Sequence, residues 1–494
     1  MTTADYKSIA NKLKLEGRAF INGKYVDAID GQKFENINPA TGDVLCSVAK
    51  CNHKDVDVAV KAARKAFESG VWSKTAPEFR KEILLKFAEL LRKHGKENSV
   101  IECVDAGKLI NDCLNEVAND TPMHFQWYAE LIDKTFGKVS ATDPSITSLI
   151  VKEPIGVVAG VVPWNFPLMM AVWKAAPALA AGCSVIIKPA EDTPLSALRI
   201  AQIAKEAGIP DGVFNVVPGF GDVGEALGRH NDVDAVSFTG STEVGGLFMK
   251  YSGESNLKTI GLEMGGKSPF LVLEDAKIND TLIDNAINSA FWNGGQNCSA
   301  NMRQIIHSKV KDEFLDKVLK RIKNIKVGDP LDTETNMGSM ISKGHLAKVD
   351  GYIQKGIDEG ASILHGGVSD SNQKGFFAKP TLFDNVKENM TIAQDEIFGP
   401  VLGVLTVNNT EEALKIAKNS KYGLHASVFT QDINKAFHIA KNLPCGTISI
   451  NTFSEGDIKT PFGGYKQSGS LSRDQGTEAL NQYLQTKTIW ISHS

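Results

Sequence analysis

The sequence predicts an α/β protein built on mostly parallel sheets and divided into more than one domain. Short β-branched runs at 155–162, 184–188, 213–217 and 235–239 are separated by helical segments at 171–181 and 194–207, the alternation of a doubly wound sheet. A second alternation follows, with helical patterns at 411–419 and 431–442 around a strand at 426–430. At 494 residues the chain also exceeds the size at which one core stops growing.

Composition narrows the class of function. The chain has 54 basic and 58 acidic residues, a net charge of -4, which leaves no electrostatic footprint for nucleic acid. Its seven cysteines are odd in number and scattered, with no CxxC pair or Cys/His cluster; this argues against a disulfide framework and a metal site and predicts a reducing, cytoplasmic setting. The N-terminal residues show no signal-peptide pattern. The apolar stretch 155–187 is long enough to span a bilayer, but Pro163, Pro167 and Pro177 break it, and Asn165 and Lys174 would sit badly in lipid. It reads as buried strand, turn, helix and strand.

Taken in order, residues 18–50 contain short strand-like pieces with a turn at Asn22-Gly23. A helix begins near Asp55, because Val56, Val60, Ala63 and Phe67 recur at helical spacing, and Gly70 ends it. Ile83, Phe87 and Leu90 mark a second helix. Residues 145–153 and 486–491 are both strand-like, the latter carrying Trp490 and Ile491. They form either a subunit-interface element or part of an internal sheet, and the local rules favour neither.

Ligands of a parallel sheet bind at the carboxyl ends of its strands, so the loops there matter most. Gly219-Phe220-Gly221-Asp222-Val223-Gly224 fits GxGxxG and opens a helix. Phe238-Thr239-Gly240-Ser241 leads a small-residue turn into another, whose free N–H groups suit a pyrophosphate. Lys188-Pro189-Ala190-Glu191 places a carboxylate where it would bind both hydroxyls of an adenine ribose and repel a 2′-phosphate, favouring NAD over NADP. Each loop alone reads as an ordinary βα turn; three after successive strands make a nucleotide site the better reading.

Cys298 follows Asn293-Gly294-Gly295-Gln296-Asn297, a small polar turn, whereas Cys183 lies among Val185, Ile186 and Ile187 as a packing cysteine does. Taken alone, packing would still be the commoner role for Cys298, by roughly two to one. Glu263, beside the flexible turn Gly265-Gly266, would by itself be a solvated charge. Glu396 and Phe398 share a tight turn ending at Gly399-Pro400, and Phe462 precedes Gly463-Gly464.

Seven motifs in this order resemble the NAD(P)-dependent aldehyde dehydrogenase superfamily across essentially the whole chain: Pro163-Trp164-Asn165-Phe166-Pro167, Lys188-Pro189-Ala190-Glu191, Phe238-Thr239-Gly240-Ser241, Glu263-Met264-Gly265-Gly266-Lys267, Gly295-Gln296-Asn297-Cys298, Glu396-Ile397-Phe398-Gly399-Pro400 and Pro461-Phe462-Gly463-Gly464. The resemblance implies a Rossmann-like NAD-binding domain (1–135 and 155–265), a related α/β catalytic domain (266–478) and a small β oligomerisation element (136–154 and 479–494). It implies a homodimer or homotetramer, an aldehyde substrate and no metal.

It also implies roles. Cys298 would be the nucleophile, Asn165 an oxyanion donor together with the Cys298 N–H, and Glu263 the base that activates the deacylating water. NAD would meet Lys188 and Glu191 at its ribose, Phe238, Gly240 and Ser241 at its pyrophosphate, and Glu396 and Phe398 at its nicotinamide. Val161, Val162, Pro163 and Trp164 would line the same groove, with Gly221 and Gly224 near the adenine. Phe166, Trp173 and Phe462 would wall the aldehyde tunnel.

Glu455 and Asp457 sit where the family places that tunnel's wall, and the segment is similar to the branch acting on γ-glutamylamino, ω-amino and guanidino aldehydes. Acidic residues at a mouth would draw in a cationic tail; a solvated loop with two ordinary charges weighs equally. One departure stands out: many relatives continue with Ser-Gly-x-Gly-Arg, where this chain reads Ser468-Gly469-Ser470-Leu471-Ser472-Arg473. The rival readings are a broad-specificity aliphatic aldehyde dehydrogenase, a CoA-acylating relative, a non-catalytic binding protein that keeps the fold, and a cofactor-free cysteine hydrolase. The last leaves the nucleotide loops unexplained and lacks a histidine in a recognisable partner motif.

Overall fold

A computed structural model describes residues 1–370 and 373–493. Two seven-stranded sheets organise it. The first contains β1 (Ala19–Ile21), β2 (Lys24–Val26), β3 (Val157–Val161), β4 (Ser184–Lys188), β5 (Phe214–Val216), β6 (Ala235–Gly240) and β7 (Thr259–Met264), in the order β7-β6-β3-β4-β5-β1-β2. β3 to β7 run parallel, as the alternating pattern predicts. The expected turn at Asn22-Gly23 joins β1 and β2 as an antiparallel hairpin, whose β1 pairs with β5 at the sheet edge.

The chain builds β3, β4 and β5 in one direction, then crosses back to lay β6 on the other side of β3. That reversal leaves a crevice between the loops after β3 and β6, the usual ligand position in such a sheet. Both loops carry motifs singled out above: Pro163-Trp164-Asn165 follows β3 and Ser241 follows β6.

The second sheet contains β8 (Pro269–Val272), β9 (Arg303–His307), β10 (Ser362–His365), β11 (Thr381–Asp384), β12 (Val401–Val407), β13 (His425–Phe429) and β14 (Thr447–Ile450), ordered β10-β11-β12-β9-β8-β13-β14. Only the β10–β11 pairing is antiparallel. Apolar clusters cover both faces, one around Leu271, Ile305 and Leu405, the other around Phe270, Ile306 and Phe314. Such two-sided burial suits a parallel sheet.

Four helices position the site. α1 (Gly95–Ala106) and α2 (Thr121–Leu131) flank a short π-helical stretch, Leu114–Asp120. α3 (Pro167–Ala181) starts four residues before the predicted segment, because Pro167 at its first position is preset for a helical start. Every residue of α3 is buried, which answers the membrane question: its apolarity serves the core. α4 (Thr242–Gly253) is capped by the Ser241 side chain, which accepts from Val244 N. Among the described residues no helix is long and apolar enough to cross a membrane.

The strand Ile146–Pro154 pairs antiparallel with Leu484–Ser492 over nine residue pairs, and Lys138–Ser140 adds a third strand. These strands form a separate sheet and complete neither of the large ones. Val139 and Trp490 on it are 72% and 65% exposed, and Phe136, just before the Lys138–Ser140 strand, is 76% exposed.

Candidate active site

Cys298 lies in a loop whose course is fixed by backbone strain. The helix Asp280–Phe291 ends, and Asn293, Gly294 and Gly295 then take left-handed φ values of 51°, 64° and 70°. At Gly295 a Cβ would also come within 2.6 Å of the Gly399 carbonyl oxygen, so glycine is required twice over. The turn throws the Gln296 carbonyl toward Asn165, whose side-chain amide donates to it at 2.9 Å. Asn293 Nδ2 donates to the Asn165 carbonyl, also at 2.9 Å, and Gln296 Oε1 accepts from Ile341 N at 3.0 Å.

Cys298 is half-buried and borders a cavity of about 630 Å³. Burial holds its thiol well above the usual range, and the carboxylates of Glu455, Glu263 and Glu396 push it the same way. Behind it Gly266 is indispensable, since a Cβ there would stand 2.5 Å from the Cys298 carbonyl oxygen.

The same cavity is lined by Asn165 and Glu263. Glu263, on β7, is 4% exposed, and its Oε1 has no hydrogen-bond partner among the described residues. Burial first, and then the Asp474 charge, raise its carboxyl well above the carboxylate range; Lys174 and Arg473 oppose the rise. Lys174 and Asp474 are themselves a buried ion pair.

Of the expected cofactor residues, Pro163, Trp164, Gly240, Ser241, Glu396 and Phe398 line this cavity. Glu396 Oε1 accepts from Gly266 N at 3.0 Å, and burial pushes its carboxyl up to about 7. Phe398 has a left-handed φ of 60° and packs edge-on to Trp164 at 5.2 Å. His345, which sequence reasoning did not single out, donates from Nε2 to the Phe398 carbonyl at 2.6 Å and also lines the cavity. Nothing local marked it, since its partner lies 53 residues away.

Other expected cofactor residues lie outside this cavity. Lys188, at the carboxyl end of β4, is 5% exposed, with Nζ 3.4 Å from Glu191; the Glu191 side chain is 41% exposed. Gly221 faces open space, whereas Gly224 packs near the Phe248 ring. Val161, Val162 and Phe238 are buried in apolar clusters, the Phe238 ring tilted by 38° against that of Phe248 with centroids 4.9 Å apart.

Phe166, Trp173, Phe462, Glu455 and Asp457 line the cavity too, so all five expected substrate residues reach it. Glu455 is held close to the thiol loop: its Oε1 accepts from Asn297 Nδ2 at 3.0 Å and from the Ser299 hydroxyl. Asp457 is exposed and pairs with Lys459 at 3.1 Å. Sequence reasoning missed a further wall, where the residues around the π-helical stretch and α2 supply Asp112, Glu116, Asp120 and His124. A π-helical turn is a common mark of a functional segment, but it is invisible to a 3.6-residue pattern.

The departing loop docks along the edge of β7. Met264 N donates to Ser468 O at 2.8 Å, Ser470 N to Leu262 O at 3.1 Å, and Leu262 N reaches the Ser470 and Ser472 hydroxyls at 3.0 and 3.1 Å. Leu471 points fully into solvent. The two serines thus satisfy the strand that carries Glu263.

A switch-point crevice that opens onto a thiol defines a class, the α/β enzymes that bind their ligand at the carboxyl edge of a parallel sheet. Residues 25–489 match the aldehyde dehydrogenase family, and the chain belongs to that family, an oxidoreductase acting on aldehydes. It is 45% identical over 495 residues to an aminoacetaldehyde dehydrogenase of Pseudomonas aeruginosa, covering 100% of this chain and 99% of the relative. Two solved structures each superpose with a TM-score of 0.97 at 44% identity over 100% of both chains. One is the γ-glutamyl-γ-aminobutyraldehyde dehydrogenase of Burkholderia cenocepacia. The other is a mutant of the P. syringae indole-3-acetaldehyde dehydrogenase AldA in complex with NAD+ and IAA.

Proposed function

We propose that this enzyme oxidises an aldehyde to a carboxylic acid through a covalent adduct on Cys298, with NAD as hydride acceptor. The observation that carries the reading is convergence: one cavity is lined by Cys298, Asn165 and Glu263, whose Oε1 has no hydrogen-bond partner among the described residues.

NAD fits the carboxyl edge of the first sheet. The N-terminus of α4 offers free N–H groups, Gly221 and Gly246 face open space, and Thr239 Oγ1 at the cavity wall is buried without a partner among the described residues. Lys188 and Glu191 would hold the ribose, and Glu396 and Phe398 the nicotinamide end. Bound there, NAD supplies the acceptor for the hydride.

The chain's own residues do the rest. The Cys298 thiol, which its surroundings hold protonated, first gives its proton to solvent in the cavity. The thiolate then attacks the carbonyl carbon, giving a thiohemiacetal whose oxyanion takes hydrogen bonds from Asn165 Nδ2 and the Cys298 N–H. Loss of hydride leaves a thioester. Glu263 then takes a proton from a water that attacks the thioester, releasing the acid and returning Cys298. A dedicated base favours hydrolysis over transfer to CoA. Incubation with NAD and an aldehyde in the absence of CoA is the test: NADH should accumulate over many turnovers, and a single turnover would overturn the hydrolytic reading.

For substrate we favour aldehydes with an ω-amino, γ-glutamylamino or guanidino tail. Support comes from the carboxylates that line the cavity, Asp112, Asp120, Glu455 and Asp457, and from the aminoacetaldehyde and γ-glutamyl-γ-aminobutyraldehyde relatives. The indole-3-acetaldehyde relative, whose named substrate carries no cationic tail, supports the alternative of a broad-specificity aliphatic aldehyde dehydrogenase. The exposed apolar residues Phe136, Val139 and Trp490 support a homodimer or homotetramer joined through the three-stranded sheet. The seven free cysteines agree with a reducing, cytoplasmic setting. The domain bounds expected from the sequence remain our assignment.

A further inference from the structure

The residue after Asn165 rests on a buried charge. The Lys108 ammonium lies 3.9 Å from the centroid of the Phe166 ring, and Lys108 is 2% exposed. It is ion-paired with Glu116, and Glu102 Oε1 stands 4.0 Å away. The second oxygen of Glu102 accepts from Leu168 N at 3.1 Å, inside the first turn of α3. A carboxylate there satisfies one of the N–H groups that a helix start leaves free and complements its dipole.

The network continues on the far side of Phe166. Its ring packs on Trp292 with centroids 5.1 Å apart. Trp292 opens the turn that leads to Cys298, and its indole lies against Asp112. Residues 102–116 therefore grip the chain immediately after Asn165 and, through Phe166, the loop that presents the thiol.

Stability does not explain this arrangement. A buried cluster of one ammonium and two carboxylates is a poor stabiliser, and apolar replacements of similar volume often fold as well or better. What the cluster supplies is direction, because a cation seeks the ring face and a carboxylate seeks the helix N–H.

We propose that Lys108, with Glu102, is a positioning residue for Asn165: it fixes Phe166 and the start of α3 so that the Asn165 amide stays aimed at the developing oxyanion. The proposal rests on the role given to Asn165 above. It predicts a loss in kcat with little change in the KM for NAD, because the Lys108 cluster lies outside the expected cofactor loops.

The test is a double-mutant cycle on the full-length enzyme with Lys108→Met and Asn165→Ala, reading kcat at saturating aldehyde and NAD. Lys108→Met alone should lower kcat about tenfold or more, as small misplacements of a reacting group do. In the Asn165→Ala background the same change should cost less than about twofold, since residues acting as a unit are non-additive. An equal loss in both backgrounds overturns the proposal while leaving Asn165 in its role. An Asn165→Ala enzyme with unchanged kcat overturns that role and the proposal with it. If Lys108→Met does not fold, the cycle is run with Glu102→Gln, which removes the charge facing Lys108 but keeps an oxygen for Leu168 N; additivity there overturns the proposal equally.

Discussion

The side-chain amide of Asn165 donates to the main-chain carbonyl of Gln296 at 2.9 Å, which ties the loop after β3 to the loop carrying Cys298. One amide hydrogen is used by this contact, and the other is free for the oxyanion role proposed for Asn165. Asn165→Ala should therefore lower kcat by ~10²–10³, the usual consequence of losing one oxyanion donor. Steady-state NADH formation measures it, and a loss smaller than about tenfold would contradict the assignment.

Cys298→Ala removes the proposed nucleophile and leaves the cofactor edge intact. NADH production should disappear, while NAD affinity by calorimetry or fluorescence stays near that of the parent. Retained turnover would remove Cys298 from the mechanism.

At Gly266 a methyl group would collide with the Cys298 carbonyl oxygen, a main-chain atom that cannot rotate away. Gly266→Ala should displace the thiol and lower kcat on the order of 10²-fold, with about 1–3 kcal/mol lost in denaturant unfolding. An active, equally stable variant would show that the loop yields more easily than its packing implies.

The Glu263 carboxyl is raised by burial above its ordinary 4.5. A carboxyl with a raised folded pKa stabilises the fold while protonated; that contribution is present at acid pH and is lost as pH climbs from 4.5 toward the folded value. The deacylation proposed for Glu263 needs its ionised form, so kcat should rise with pH over the range where Glu263 costs stability. Glu263→Gln should abolish the rise, and its Tm should gain on the parent as pH increases. Parallel pH profiles for parent and variant would count against the base.

Asp120 and Glu455 both line the cavity, but Glu455 is already engaged by Asn297 and Ser299. Asp120 is therefore the better reader of a cationic tail. Asp120→Asn should raise KM for an ω-amino aldehyde about tenfold and leave a neutral aliphatic aldehyde unaffected, the loss expected for one charge-assisted contact. A panel of cationic, neutral and acidic aldehydes with NAD and NADP provides the comparison. Preference for acetaldehyde over every amino or guanidino aldehyde would defeat the substrate reading, and equal use of NADP would defeat the role of Glu191.

The sequence by itself determined the alternation of strand and helix, the Asn22-Gly23 hairpin and the loops at the strand ends, because hydrophobic period and turn chemistry are local properties. It also determined that Cys298 stands in a glycine-bent turn. Only the tertiary structure decided what faces that thiol. The strands Ile146–Pro154 and Leu484–Ser492 pair although most of the chain lies between them. Glu102 reaches Leu168 across 66 positions, and Glu455 reaches Ser299 across 156. The wall holding Asp112, Asp120 and His124 gave no such local sign, since a carboxylate on a helix reads the same whether it faces solvent or a cavity. Contacts between remote segments depend on how the sheets and helices pack, and that choice is written in no single stretch of the chain.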